Sequence, residues 1–162
     1  MNRLSLALVC IIGFGFSLLT GANLHSAPQQ PARSVQYLEG DAFQRERYSP
    51  AVITQGGRII WLAGQLAAQD SSGKSLLGDF QGQARAAFAS IDRTLKRSGG
   101  SLQNVVTMTI FINDPRYGDE FVKVRRELFP NGKFPAATLI TVSNFAQPGI
   151  LIEIQGVAVV DN

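Results

Sequence analysis

The segment from Gly149 to Val160 constrains the fold most, because it is a run of aliphatic and β-branched residues with one carboxylate in its middle. Near-continuous apolar runs are typical of strands covered on both faces, and the preceding Pro148 with Gly149 is a turn signal. The segment therefore predicts a buried strand. Glu153 is its anomaly, because a carboxylate in apolar surroundings must be paired, hydrogen-bonded or protonated, and such groups are frequent at functional sites. The alternative is that Glu153 lies near solvent or pairs with an arginine for structural reasons.

The first 22 residues have the pattern of a secretory signal peptide. Arg3 precedes an uncharged apolar stretch from Leu4 to Leu19, and the small residues up to Ala22 suit cleavage after that position. An uncleaved membrane anchor is the alternative. Residues 23–34 are rich in Pro and Gln and predict a flexible tether. We therefore expect a periplasmic or secreted protein that has no membrane contact once the signal is removed.

The residues after position 22 leave few chemistries open. They contain no Cys, and their one His is His25. This composition excludes a Cys nucleophile, a Ser-His-Asp triad, a His-ligated metal and disulfides, and we predict no metal and no cofactor. The formal net charge is only +3, without a basic stripe interleaved with aromatics, so we expect no nucleic-acid partner. About 140 residues suit one domain, placed at 35–162.

The rest of the chain alternates between strand and helix patterns. Two amphipathic segments, 79–96 and 118–129, predict helices. Four further segments have β-rich composition: 51–54, 58–62, 105–112 and 137–142. Residues 35–38 are a candidate for an additional short edge strand. The residues Gln55-Gly56-Gly57 predict a hairpin between 51–54 and 58–62.

The order β-β-α-β-α-β-β predicts an α+β domain of two layers, with helices on one face of a mixed sheet. The other face of such a sheet is bare. Because the chain has neither disulfides nor a metal site to compensate, we expect another copy to cover that face in a closed homo-oligomer.

From Tyr37 to Val160 the chain resembles the RidA/YjgF family of reactive intermediate deaminases. The resemblance rests on segments that occur in the family's order: Tyr48-Ser49-Pro50-Ala51, Leu62-Ala63-Gly64-Gln65, Gln83-Ala84-Arg85, Gly99, the strand Val105 to Asp114, Phe134-Pro135-Ala136 and Ile152 to Ala158. It implies a chorismate-mutase-like fold, a homotrimer and a small-molecule pocket between subunits. It also implies hydrolysis of enamines and imines derived from amino acids.

The resemblance further implies which residues form the site. Glu153 matches the family's catalytic glutamate, which holds the water that attacks the imine carbon. Tyr48 and Gly64 match substrate-binding positions. The family's arginine after Pro-Ala, which binds the substrate carboxylate through its planar fork, is replaced here by Ala137. The family's asparagine on the second helix falls at Arg125, which we expect to replace the missing cation.

Three interpretations remain open at this stage. The first is an enzyme that hydrolyses enamine- or imine-type metabolites with an altered substrate preference. The second is a protein that binds a small metabolite in the same cleft without chemistry. The third is a structural or adaptor domain. For Arg125 the competing interpretation is a solvated basic helix face shared with Lys123 and Arg126.

Overall fold

The computed structural model describes residues 31–162. The predicted signal peptide and residues 23–30 of the predicted tether lie outside the described residues. The described elements, in chain order, are β1 (Ser34–Tyr37), α1 (Ala42–Arg45), β2 (Val52–Gln55), β3 (Arg58–Gln65), α2 (Phe80–Lys96), β4 (Val105–Ile112), α3 (Gly118–Leu128), β5 (Ala136–Thr141) and β6 (Ile152–Val160). No helix within residues 31–162 combines the length and apolarity needed to cross a bilayer.

The main sheet has four strands in the order β3-β6-β4-β5. The pair β4–β5 is parallel, and the other two pairs are antiparallel, so the sheet is mixed as predicted. The apolar C-terminal segment is β6, which lies between β3 and β4. Its alternate residues Ile152 and Ile154 are fully buried, while Glu153 between them is half-buried on the other face.

The predicted hairpin between β2 and β3 is wrong. Gly56 and Gly57 do form a turn with positive φ angles of 64° and 76°, as the sequence implied. However, β2 pairs with β1 in a separate two-stranded sheet, whereas β3 pairs with β6. The two glycines therefore carry the chain from one sheet to the other.

Both long helices, α2 and α3, pack on the same face of the main sheet and form the core with it. The side chain of Asp79 accepts a hydrogen bond from the amide of Gly82 and so caps the start of α2. From α2, Phe88 packs at 5.9 Å between ring centroids against Phe121 of α3. This confirms the predicted α+β architecture and its chorismate-mutase-like layering.

The opposite sheet face is uncovered within the described chain. Trp61 is 79 % exposed, and Ile59 beside it is 59 % exposed. Ile140 on the edge strand β5 is 41 % exposed. The bare apolar face that the element order predicted is therefore present.

Candidate functional site

A cavity of about 340 Å³ lies between the N-terminal half of α3, the segment around α1 and the edge strand β5. Three of the five predicted site residues line it: Tyr48, Arg125 and Ala137. Ala137 occupies the cavity wall through its place in β5, opposite Met108 of β4. The remaining lining combines the aromatic or aliphatic side chains of Phe43, Phe121, Val122 and Leu139 with the charged side chains of Arg47, Arg116 and Asp119. Such a mixture is typical of a small-molecule site, in which apolar walls surround a few polar groups.

Arg125 is the buried cation of this cavity. Its residue is only 3 % exposed, so the solvated helix face considered for it from the sequence is wrong. Its guanidinium lies 5.3 Å from the ring centroid of Phe121 and 5.5 Å from that of Phe134. Lys123 and Arg126 of the same helix are exposed. The helical period explains the difference, because Arg125 lies four positions after Phe121 and shares its inward face.

The charge of Arg125 is not compensated by a carboxylate of residues 31–162, and its buried Nε has no hydrogen-bond partner among them. Burial, and secondly the positive charge of Arg47, lower the pKa of Arg125 to about 10. The group is therefore still a cation at neutral pH. A buried, unpaired cation in a cavity wall is suited to bind an anion.

The segment around α1 forms the outer wall of the cavity, and the sequence reading missed it as a helix. Asp41 and Gln44 form a capping box that starts this single turn. Two ion pairs attach the segment to α3, one between Arg126 and Glu46 and one between Arg47 and Asp119. The segment thereby holds Tyr48 at the cavity.

Gly64 and Glu153 lie together elsewhere, on the open side of the main sheet. The pairing of β3 with β6 shifts register between Leu62 and Gln65, and Gly64 sits within that irregularity. A Cβ built on Gly64 would lie 2.8 Å from Cδ of Glu153, so any side chain at this position would displace the Glu153 carboxylate. Glu153 lines a second recess of about 240 Å³.

The Glu153 recess has an aromatic and polar lining. Phe111 of β4 is the residue directly opposite Glu153 in the ladder. Asn144 and Phe145, from the loop before β6, also line the recess. Within a single chain, therefore, the predicted base and the predicted anion-binding residues belong to different concavities. Among residues 31–162, no group of three or more His, Cys, Asp or Glu side chains is placed to hold a metal ion.

Sequence reasoning did not identify Arg47 as a site residue, although it lines the Arg125 cavity. Its guanidinium lies 4.4 Å above the ring of Phe43, and its Nη1 donates a hydrogen bond of 3.3 Å to Asp119 Oδ1. The available signal was its position immediately before Tyr48.

Comparison with known proteins gives consistent results. The protein-family model described as Endoribonuclease L-PSP matches residues 40–160. A RutC family protein of Pyrococcus horikoshii is 30 % identical over 111 residues, which cover 68 % of this chain and 85 % of that protein. The human 2-iminobutanoate/2-iminopropanoate deaminase is 30 % identical over 112 residues, covering 69 % of this chain and 79 % of the enzyme.

Solved structures share the fold. A Rid-family protein of unknown function from Yersinia pestis superposes with a TM-score of 0.64 at 24 % identity, covering 78 % of this chain and 98 % of that protein. A YjgF-family member from Mycobacterium tuberculosis superposes with a TM-score of 0.55 at 26 % identity, covering 78 % and 100 % respectively.

Proposed function

The chain belongs to the RidA/YjgF family, and we propose that it hydrolyses small anionic enamines or imines at a site formed between two copies of itself. The observation that carries this proposal is Arg125. The Arg125 residue is only 3 % exposed, forms no salt bridge with residues 31–162 and lines a cavity, so its guanidinium offers a charge-assisted contact to a carboxylate. In the resemblance described above, the family's arginine stands where this chain has Ala137. Arg125 supplies a cation to the same cavity from the helix instead of the strand.

The second copy is needed because the catalytic and binding residues are separated in one chain. The proposed base, Glu153, lies against Gly64 and lines its own recess, whereas Arg125 and Tyr48 line the other cavity. The uncovered sheet face, which includes the 79 % exposed Trp61, is the surface that a homotrimer would bury. In that assembly Glu153 of one copy would face the Arg125 cavity of the next.

The chemistry requires only water and a carboxylate base. Glu153 takes a proton from water as the water oxygen bonds to the imine carbon. Glu153 returns this proton to the nitrogen of the tetrahedral adduct and then transfers the proton of the new hydroxyl to the same nitrogen, so that the carbon–nitrogen bond breaks and ammonia leaves as the carbonyl forms. Arg125 holds the substrate carboxylate throughout and fixes the carbon relative to the water.

Complementation between two inactive variants tests this arrangement. Glu153→Gln and Arg125→Met are each expected to lose hydrolysis of imines generated from a panel of amino acids. When they are co-expressed, mixed trimers contain some sites with both residues intact. Roughly a quarter of the wild-type rate per chain is then expected, as random assembly gives. No recovery in mixed trimers verified by mass spectrometry would show that the two residues do not share an intersubunit site.

A non-catalytic role is the second candidate, and one observation favours it. The Arg125 cavity is formed by a single chain, without Glu153. Such a cavity binds an anion without placing a base beside it. Carboxylate binding without turnover of any imine, together with full retention of binding in Glu153→Gln, would identify this role.

We also propose that the protein is exported. The support is the charge-free apolar stretch from Leu4 to Leu19 after Arg3. A fusion of residues 1–30 to a reporter that is active only outside the cytoplasm should give signal. A product that retains Met1 and stays in the cytoplasm would contradict export.

A further inference from the structure

Two guanidinium groups line the same cavity. Arg47 lines it from the segment after α1, and Arg125 lines it from α3. The two charges are close enough that Arg47 is the second cause, after burial, of the lowered pKa of Arg125. A ligand with a single negative charge would leave one of these cations without a counter-charge in the cavity.

The ion pair that Arg47 forms with Asp119 is weak. The contact from Nη1 to Asp119 Oδ1 is 3.3 Å long, and the Asp119 side chain is 81 % exposed. An exposed ion pair of this kind contributes little to stability, so a ligand can replace it at small cost. Stacking over Phe43 at 4.4 Å meanwhile keeps the guanidinium at the cavity.

The third arginine of the lining is more closely paired than Arg47. Arg116 donates from Nε to both oxygens of Asp114, each at 2.9 Å. Arg47 and Arg125 are therefore the two lining arginines with capacity for a ligand. The surfaces beside them are apolar and include Val122 and Leu139. A ligand that matches this cavity carries an anionic group at each end of a short hydrocarbon chain.

We propose that the cavity binds short dicarboxylates, with one carboxylate on Arg125 and the other on Arg47 in place of Asp119. The inference rests on the proposed function for the role of Arg125 and adds Arg47 as the residue that determines specificity. It implies that the imine substrate carries a second carboxylate. A bidentate guanidinium–carboxylate contact is the interaction expected at each end.

Calorimetric titration of the wild-type protein with succinate and butanoate tests this, because the two ligands share a four-carbon chain and differ by one carboxylate. Succinate should bind about tenfold or more tightly. Arg47→Gln should abolish that difference while butanoate binding is kept, and Arg125→Met should weaken both ligands. Asp119→Asn should tighten succinate, because it frees Arg47. Lys123→Gln, which removes an exposed cation from the same helix, is the matched control and should change neither affinity.

The outcomes separate the two proposals. Equal binding of the two ligands, or an equal effect of Arg47→Gln on both, overturns the dicarboxylate inference but leaves an Arg125-dependent carboxylate site standing. Inorganic phosphate that binds more tightly than succinate also overturns it, in favour of a compact dianion. Full binding of both ligands by a folded Arg125→Met variant removes the proposed function itself.

Discussion

The carboxylate of Glu153 lies directly over the backbone of Gly64, in the space where any other residue at position 64 would place its side chain. The contact joins β6 to the irregular end of β3. The φ of Gly64 is not in the positive range, so its backbone conformation does not call for a glycine. The absence of a side chain instead leaves space for the carboxylate of the proposed base.

Gly64→Ala should therefore displace Glu153 with little effect on folding. The methyl group would lie 2.8 Å from Cδ of Glu153, at the far end of a side chain that can rotate away. Imine hydrolysis should fall by about tenfold or more, as expected when a base is moved out of line with its water. The melting temperature should change little. In a Glu153→Gln background the same substitution should have no further effect on turnover, and an additional loss there would mean that Gly64 acts independently of Glu153.

Arg125→Met should stabilise the free protein while it removes anion binding. A buried charge without a counter-ion opposes folding, and replacement of buried ionic groups by apolar residues of similar volume often increases stability. Contacts with the rings of Phe121 and Phe134 offset part of this gain. We expect an increase in the free energy of unfolding of about 1 kcal/mol, measured by chemical denaturation.

Lys123→Met is the control for that experiment. Lys123 lies two residues earlier on α3 and is exposed. Its replacement should change the free energy of unfolding by less than about 0.5 kcal/mol. A strongly destabilised Arg125→Met variant would indicate that the guanidinium has a counter-charge from a neighbouring copy in the assembled protein.

The affinity for carboxylates should fall at a lower pH than is usual for a site that depends on an arginine. Burial and then Arg47 lower the pKa of Arg125 to about 10, well below the ordinary value of an arginine. Above about pH 10 the folded chain therefore binds fewer protons at this group than the unfolded chain. The cost of the lowered pKa is complete below about pH 10 and is relieved as the pH rises above it. Butanoate affinity should be constant from about pH 7 to pH 9 and should decrease above about pH 10, by up to tenfold per unit. A constant affinity up to about pH 11.5, in a protein still folded by circular dichroism, would contradict this assignment.

The sequence predicted the architecture well because its strongest signals are local. The apolar spacing of residues 79–96 and 118–129 and the β-rich segment 105–112 correspond closely to α2, α3 and β4. The hairpin failed because a glycine turn fixes only the direction of the chain, not the strand with which each arm pairs. The single turn α1 was missed because four residues are too few for a periodic pattern.

The site residues remain predictions, and the structure shows only which of them lie together. Motif order proposed Tyr48, Gly64 and Glu153, and the coincidence of two exchanges proposed Arg125 and Ala137. Of these five, Tyr48, Arg125 and Ala137 line one cavity. The burial of Arg125 could not be read from its neighbours, because Lys123 and Arg126 suggest a solvated face. Arg47 was not identified because its role depends on a tertiary contact with α3. Tertiary packing, rather than composition, determines which arginines face the cavity.

The final prediction concerns moving the cation of the cavity from position 125 on α3 to position 137 on β5. Ala137 and Arg125 line the same cavity, so an arginine introduced at position 137 can supply the charge that Arg125→Met removes. The double variant Arg125→Met with Ala137→Arg should therefore recover the carboxylate binding that the single variant lost. If Glu153 of a neighbouring copy faces this cavity, the double variant should also hydrolyse imino acids.

The matched control is Arg125→Met with Ala137→Gln, which adds side-chain volume at position 137 without a charge. Ala137 is half-buried against the core, so both double variants should lose some stability to crowding, and their melting temperatures should be compared first. Recovery of binding with arginine but not with glutamine shows that the cavity needs a cation. It also shows that the cation can be supplied from β5 instead of α3. Absence of recovery in two equally stable double variants shows instead that carboxylate recognition depends on the position of Arg125 between the Phe121 and Phe134 rings, and not on the charge of the cavity alone.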